Sequence, residues 1–195
     1  LFTEAGLPEG VLNVINGNKV SVDLILNSSD ISSVSFVGST PVAKYIYKQA
    51  ANNHKRVQAL GGAKNHLVVM PDANLKQTVE GIIGAAYGSA GERCMAVSVA
   101  VAVGDIADKL IDSIVENIQK LKVAPWTDKD SDMGPLISKE HLEKVKNYID
   151  LGVREGAKLL ADGRNYKLQG YENGYFIGPT VFDHVNKDMT IYKEE

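Results

Sequence analysis

A sulfur nucleophile is the first chemistry this sequence offers. The chain has one cysteine, Cys94, within Gly88-Ser89-Ala90-Gly91-Glu92-Arg93-Cys94-Met95-Ala96. It follows an apolar stretch of helical spacing and stands beside glycine and arginine. A thiol becomes a useful nucleophile only as thiolate, and an adjacent cation or a helix terminus favours that form. Arg93 could supply that cation, or grip an anionic substrate group with two parallel hydrogen bonds. Two plainer readings stay open on the residues alone. Free cysteine is among the most buried residue types and can be inert. A lone arginine is often only solvated or salt-bridged.

Two glycine-bearing segments could receive a ligand. In Phe36-Val37-Gly38-Ser39-Thr40 a strand runs into a helix start. Exposed N–H groups and the helix dipole make such a start an anion site, with Gly38 allowing close approach and Ser39 donating. Ser39 could equally be a simple helix cap. The full G-x-G-x-x-G dinucleotide fingerprint is absent. Ala59-Leu60-Gly61-Gly62-Ala63-Lys64-Asn65-His66 places a glycine pair at a strand end. That pair is either a tight turn or backbone yielding space to a ligand at the carboxyl end of a parallel strand. The four histidines, His54, His66, His141 and His184, lack metal-ligand spacing, so no metal site is expected. His141 falls on an exposed-looking helix face.

The elements that must position these residues follow from periodicity. Leu1 to Ala5 reads as a helix end stopped at Gly6 and Pro8. Val11 to Ile15 reads as a strand, Asn16-Gly17-Asn18 as a turn, and Val20 to Leu26 as a helix. A strand at Val34–Val37, a helix from about Pro41 to Asn52 and a strand at Arg56–Leu60 follow. The pattern restarts with a strand at Leu67–Met70, a helix from Asn74 to Ser89 and a buried-type strand at Val97–Val103. Ile106, Leu110, Ile111, Ile114, Val115, Ile118 and Leu121 then line one face of the strongest amphipathic helix. After a polar loop, Ala124 to Asp132, a helix runs from near Ser138 to Gly156 with Leu142, Val145, Ile149 and Val153 inward. Lys158 to Glu195 reads as short strands and turns. Alternating strands and helices predict an α/β fold with parallel sheet, and the boundary between two domains is expected near Gly61 to Lys64.

Bulk properties narrow the function classes. The chain has 195 residues, 44% of them apolar and 23% charged, with a formal net charge of −3. That is the composition of an ordinary globular protein, and it gives no electrostatic reason to expect nucleic acid or an anionic membrane as partner. A single cysteine excludes an internal disulfide and fits a reducing compartment. No apolar run approaches the roughly 20 residues that span a bilayer. The first residues carry no signal-peptide pattern and no starting Met, so the chain is expected to be a fragment.

In order, the chain carries Phe36-Val37-Gly38-Ser39-Thr40, Ala59 to His66, Gly91-Glu92-Arg93-Cys94, Met133-Gly134-Pro135-Leu136, Gly178-Pro179-Thr180 and Lys193-Glu194-Glu195. Together, in this order and spacing, they resemble the aldehyde dehydrogenase superfamily along the whole chain. Ala-Lys-Asn-His and Gly-Glu-Arg-Cys-Met-Ala look most like its CoA-acylating methylmalonate-semialdehyde dehydrogenase branch. The resemblance implies residues 1–62 as the C-terminal part of an NAD-binding domain and 63–195 as the N-terminal part of a catalytic domain. It implies Cys94 as catalytic nucleophile and Arg93 as the arginine that binds a semialdehyde carboxylate. It implies Gly38 and Ser39 at the cofactor pyrophosphate, Gly61 at the nicotinamide and Glu195 at the nicotinamide ribose. NAD is then the cofactor, CoA a co-substrate and a small semialdehyde the substrate. Valine or inositol breakdown, a homo-oligomeric (tetrameric) full-length form and a cytoplasmic place, or the mitochondrial matrix in a eukaryote, also follow from the resemblance.

Two departures from the family matter. Hydrolytic members carry a glutamate where this chain has Ala59, and that glutamate activates the water that releases the acyl group. Ala59 cannot take a proton, which favours a thiol acceptor such as CoA. Members are also much longer, so segments with further cofactor and substrate groups would lie outside these residues. The alternatives are a hydrolytic NAD(P)-dependent aldehyde dehydrogenase with another base, and a truncated chain acting only as a binding module.

Overall fold

A computed structural model describes residues 1–194. The chain divides into two compact units, Leu1–Gly62 and Ala63–Glu195. In the first, Leu7 N–H donates to the Phe2 carbonyl and Gly6 N–H to that of Thr3. Gly6 has φ 88°. This is the closing motif of a helix with glycine in the left-handed position, so the expected helix end is present, shortened to hydrogen-bonded turns. The strand expected at Val11–Ile15 does not form. Its apolar side chains are exposed, Val14 at 80% and Ile15 at 68%. A strand lasts only where its N–H and C=O groups find a ladder partner, and none of the described residues pairs with this segment.

Helix α1, Lys19–Asn27, starts at Asn18, whose side chain accepts from Val20 N–H. Strand β1, Ser33–Val37, leads into helix α2, Thr40–Asn52, and strand β2, Arg56–Leu60. β1 and β2 pair in parallel, Val37 opposite Leu60. The two helices and this ribbon bury Leu26, Ile46 and Ala50 with Val34, Phe36 and Val57. The buried ammonium of Lys55 donates to the Ser28 and Ile31 carbonyls, tying the loop after α1 to the start of β2.

The second unit repeats the plan. Strand β3, Asn65–Val69, helix α3, Leu75–Tyr87, and strand β4, Val97–Ala102, form a parallel crossover. Helix α4, Ala107–Ile118, is preceded by a 3₁₀ turn at Gly104–Ile106. Its apolar face packs Ile106, Leu110, Ile114 and Ile118 against Val69, Val79 and Ile82. Helix α5, Lys139–Arg154, is capped by the Ser138 hydroxyl, which accepts from His141 N–H. His141 itself is exposed. Val153 is also exposed, where an inward position was expected. Gly152 takes the inward place, because Phe182 and Ile191 come so close that a Cβ there would lie 2.9 Å from the Phe182 ring.

Strands β5, Lys158–Ala161, and β6, Val181–Asp183, pair antiparallel, and a short helix α6 covers Thr190–Lys193. The Gly178-Pro179-Thr180 motif is scaffold: Thr180 accepts from Gly163 N–H through its hydroxyl and from Tyr87 through its carbonyl. Burial pushes the Tyr87 phenol above its ordinary pKa. Met133 and Leu136 of the Met-Gly-Pro-Leu motif are core residues. Among the described residues no helix is long and apolar enough to cross a membrane.

Two side chains separate the packed core from the unpaired N-terminal segment. Ile118→Ala, at a side chain 1% exposed, is expected to cost about 2–5 kcal/mol. Val14→Ala is expected to stay within about 0.5 kcal/mol. Urea midpoints with unchanged slope check both.

Candidate active site

Cys94 is placed by a left-handed turn. After α3 the backbone passes through Ser89 (φ 53°, ψ 37°) and Ala90 (φ 53°, ψ 27°), then Gly91 (φ 74°). Left-handed geometry costs a non-glycine residue roughly 1–2 kcal/mol, so packing must hold it. The half-buried Ala90 supplies that packing, set against both the cluster of Leu136, Leu142, Ile149 and Ile177 and that of Val123, Met133 and Phe176. The turn reverses the chain. A second turn closes from Ala96 N–H to the Arg93 carbonyl at 2.9 Å and carries Cys94 at its bend. Cys94 is exposed, so the buried, inert thiol is not what the fold builds.

Arg93 folds back over the end of α3. Its Nη2 donates to the Gly84 carbonyl at 2.7 Å. Gly84 is in the last turn of the helix, where carbonyls lack helical partners and a cation complements the dipole. Gly88 makes room for this, since a Cβ there would lie 2.0 Å from Arg93 Nη2. Arg93 and Cys94, with Gly84, Ala85 and Met95, line an open pocket of about 500 Å³. The pocket therefore unites an exposed thiol and an exposed guanidinium. The Cys94 carbonyl is itself held by the side chain of Asn65.

The Ala-Lys-Asn-His segment also braces α6. Lys64 Nζ donates to the Ile191 carbonyl at 3.0 Å. His66 Nδ1 lies 2.9 Å from the Lys64 carbonyl and Nε2 3.0 Å from the Tyr192 hydroxyl. A carbonyl can only accept, so Nδ1 carries the proton of the neutral ring and Nε2 accepts from Tyr192. Glu155 closes the other side, accepting from the Thr190 hydroxyl at 2.6 Å and from Thr190 N–H at 2.7 Å. Tyr148 donates to Glu194 at 2.6 Å. Glu195 lies outside the described residues.

In the first unit, Gly38, Ser39 and Gly61 meet at the carboxyl edge of β1 and β2. Gly38 N–H donates to the Leu60 carbonyl at 3.1 Å. Ser39 is the cap residue of α2, yet its side chain makes no capping hydrogen bond. The plain capping role of its hydroxyl is not realised. Gly61 has a packing reason as well: a Cβ there would lie 2.8 Å from Thr40 Oγ1. The Thr40 hydroxyl accepts from Gly62 N–H at 3.1 Å. This is a helix N-terminus beside two parallel strand ends, the usual anion site of α/β folds.

Sequence reading overlooked the work of Lys64, Asn65, His66 and Glu155. Among the described residues no group of three His, Cys, Asp or Glu could hold a metal ion.

The α6 brace titrates. The Thr190 hydroxyl, with smaller help from backbone N–H groups and the Lys193 charge, holds the Glu155 carboxyl below its ordinary 4.5. Its stabilisation is complete above 4.5 and is lost as pH falls through the lowered folded value. A melting-temperature deficit of Glu155→Gln is thus expected at neutral pH and should close in acid below 4.5. Thermal melts of both proteins across pH check it.

The model of the aldehyde dehydrogenase family matches residues 1–195. A malonate-semialdehyde dehydrogenase of Pseudomonas aeruginosa is 56% identical over the whole chain, and one of Bacillus licheniformis 54%. The chain spans 39% and 40% of their lengths. A structure from Sinorhizobium meliloti, assigned as a methylmalonate-semialdehyde dehydrogenase and complexed with NAD, is 57% identical with TM-score 0.95, over 98% of this chain and 39% of its own. A methylmalonate-semialdehyde dehydrogenase of Oceanimonas doudoroffii, 55% identical, also superposes with TM-score 0.95, over 99% of this chain and 40% of its own. With the family's model matched from end to end, the chain belongs to the aldehyde dehydrogenase family.

Proposed function

We propose that this chain carries the nucleophile of an NAD-dependent, CoA-acylating oxidation of malonate or methylmalonate semialdehyde. The observation that carries the reading is the pocket in which exposed Cys94 stands beside Arg93. Its relatives from Pseudomonas aeruginosa and Oceanimonas doudoroffii are named for dehydrogenation of malonate and methylmalonate semialdehyde, which supports the substrate class.

Arg93 binds the carboxylate of the semialdehyde, where a planar guanidinium gives two parallel donors. The Cys94 thiolate attacks the aldehyde carbon, and a C–S bond forms. The resulting oxyanion is met by N–H donors, the Cys94 backbone among them. NAD supplies the hydride acceptor when bound. Cys94 then holds a thioester. The CoA thiol displaces it, the enzyme C–S bond breaks and Cys94 leaves as thiolate. From Val57 to Ala63 no side chain can accept a proton, so Ala59 and its neighbours cannot activate water. A thiol needs less help, because a useful fraction ionises near neutral pH. Before the displacement by CoA, on the acyl-enzyme, the carboxylate C–C bond breaks. A water gives its hydroxyl to the departing carbon as bicarbonate and its proton to the α-carbon. Methylmalonate semialdehyde thus yields propionyl-CoA and malonate semialdehyde acetyl-CoA.

The residues of the first unit fit a dinucleotide. The uncapped start of α2 and the uncommitted Ser39 hydroxyl suit its pyrophosphate, with Gly38 beside them. Gly61 is assigned to the nicotinamide side and Glu195 to its ribose. Residues 1–62 thus serve the cofactor and 63–195 the chemistry. The working protein is read as a cytoplasmic homo-oligomer, a tetramer.

Product analysis of the purified protein decides the acceptor. Acyl-CoA is expected with CoA present, and turnover is expected to collapse without it. Free acid at an undiminished rate without CoA would overturn the acylating reading in favour of hydrolysis. Cys94→Ser is expected to abolish NADH formation. Gly88→Ala displaces Arg93 at its flexible end and is expected to raise KM for a carboxylate-bearing semialdehyde about tenfold. KM for propanal should stay unchanged, and steady-state kinetics with both aldehydes checks the contrast.

A further inference from the structure

We propose that Asn65 is a positioning residue for Cys94. Asn65 opens β3, where the ladder with β4 is irregular: Asn65 stands opposite Val97, but His66 stands opposite Val99. One residue of β4 is thus skipped, and the backbone pairing does not extend back toward Cys94. The Asn65 side chain fills the gap. Its Nδ2 donates to the Cys94 carbonyl and to the Ala96 carbonyl, each at 2.9 Å. Both partners can only accept, so the NH₂ end must face them. Both amide hydrogens are used, on carbonyls that flank Met95.

The consequence reaches the sulfur. The turn Arg93–Ala96 has one main-chain hydrogen bond, from Ala96 N–H to Arg93. Such a turn can rock about its ends. Two further bonds from a strand residue fix the Cys94 peptide plane, and with it the direction of the Cα–Cβ bond that carries Sγ. Met95 is 82% exposed and supplies no packing to do this instead. Residue type is restrictive here. Aspartate offers no donor, serine one, and only an amide of this length offers two. Attack on a carbonyl carbon is sensitive to placement, since a displacement of about 1 Å can cost on the order of 100-fold.

The catalytic part of this inference rests on the proposed function. The test compares wild type, Asn65→Asp and Asn65→Ala in the purified protein. Asn65→Asp keeps the shape and removes both donors. Both variants are expected to lower kcat about 10- to 100-fold while KM for aldehyde and NAD stays within about threefold. Amide hydrogen exchange at Ala96, whose N–H closes the turn onto Arg93, is expected to quicken about tenfold. If Asn65→Ala does not fold, Asn65→Ser, which keeps one donor, is expected to show the same split at smaller size. A folded Asn65→Asp protein with wild-type kcat overturns the proposal, whatever its melting temperature. If wild type itself forms no NADH, the proposed function fails, and exchange at Ala96 then decides Asn65 alone: unchanged exchange overturns its role.

Discussion

The second unit depends on one constraint. β3 and β4 are parallel, so α3 must return the chain to the end of the sheet where β3 began. Nine residues, 88–96, then remain between α3 and β4. They must reverse direction and still present a thiol. A right-handed continuation would simply extend the helix. The left-handed run Ser89-Ala90-Gly91 breaks it, and its cost is met by the Ala90 methyl in two apolar clusters. The exposed thiol end of this loop is thus held through the half-buried Ala90 near its start.

Order spreads from that loop through hydrogen bonds between distant segments. Asn65 reaches Cys94 and Ala96 from the start of β3. Its neighbours Lys64 and His66 reach Ile191 and Tyr192. One four-residue motif therefore touches both the nucleophile loop and the segment leading to Glu194. A side chain–backbone bond contributes only about 1 kcal/mol, but each restricts where a reacting group can sit. Stability here comes from apolar faces such as Ile106, Leu110, Ile114 and Ile118, and placement comes from polar braces.

The first unit obeys the same physics with a different outcome. Parallel β1 and β2 end together, and α2 begins beside them. Glycine at positions 38 and 61 keeps that edge clear. Gly61 is also required by Thr40, so a packing demand coincides there with the position read as a ligand approach. That coincidence is why the sequence left its turn and ligand readings equal.

Periodicity determined most of the elements. The faces of α3, α4 and the greater part of α5, the helix start at Ser138 and the parallel pairing all follow from patterns within some fifteen residues. Such patterns report local geometry and the need to bury one face. The Cys94 motif stands out for a similar reason, as a cysteine beside a cation within a short window. Tertiary structure decided the rest. Val11–Ile15 has strand composition but no ladder partner, and composition cannot supply one. Gly152 displaced Val153 from the interior because Phe182 and Ile191, far along the chain, occupy the space. Ser39 reads as either an anion donor or a helix cap, and only the helix geometry shows that its hydroxyl caps nothing. Asn65, Lys64 and His66 act across separations of 29 to 127 residues. No local pattern encodes those contacts, because the partners are backbone carbonyls and a hydroxyl whose positions exist only once the chain has folded.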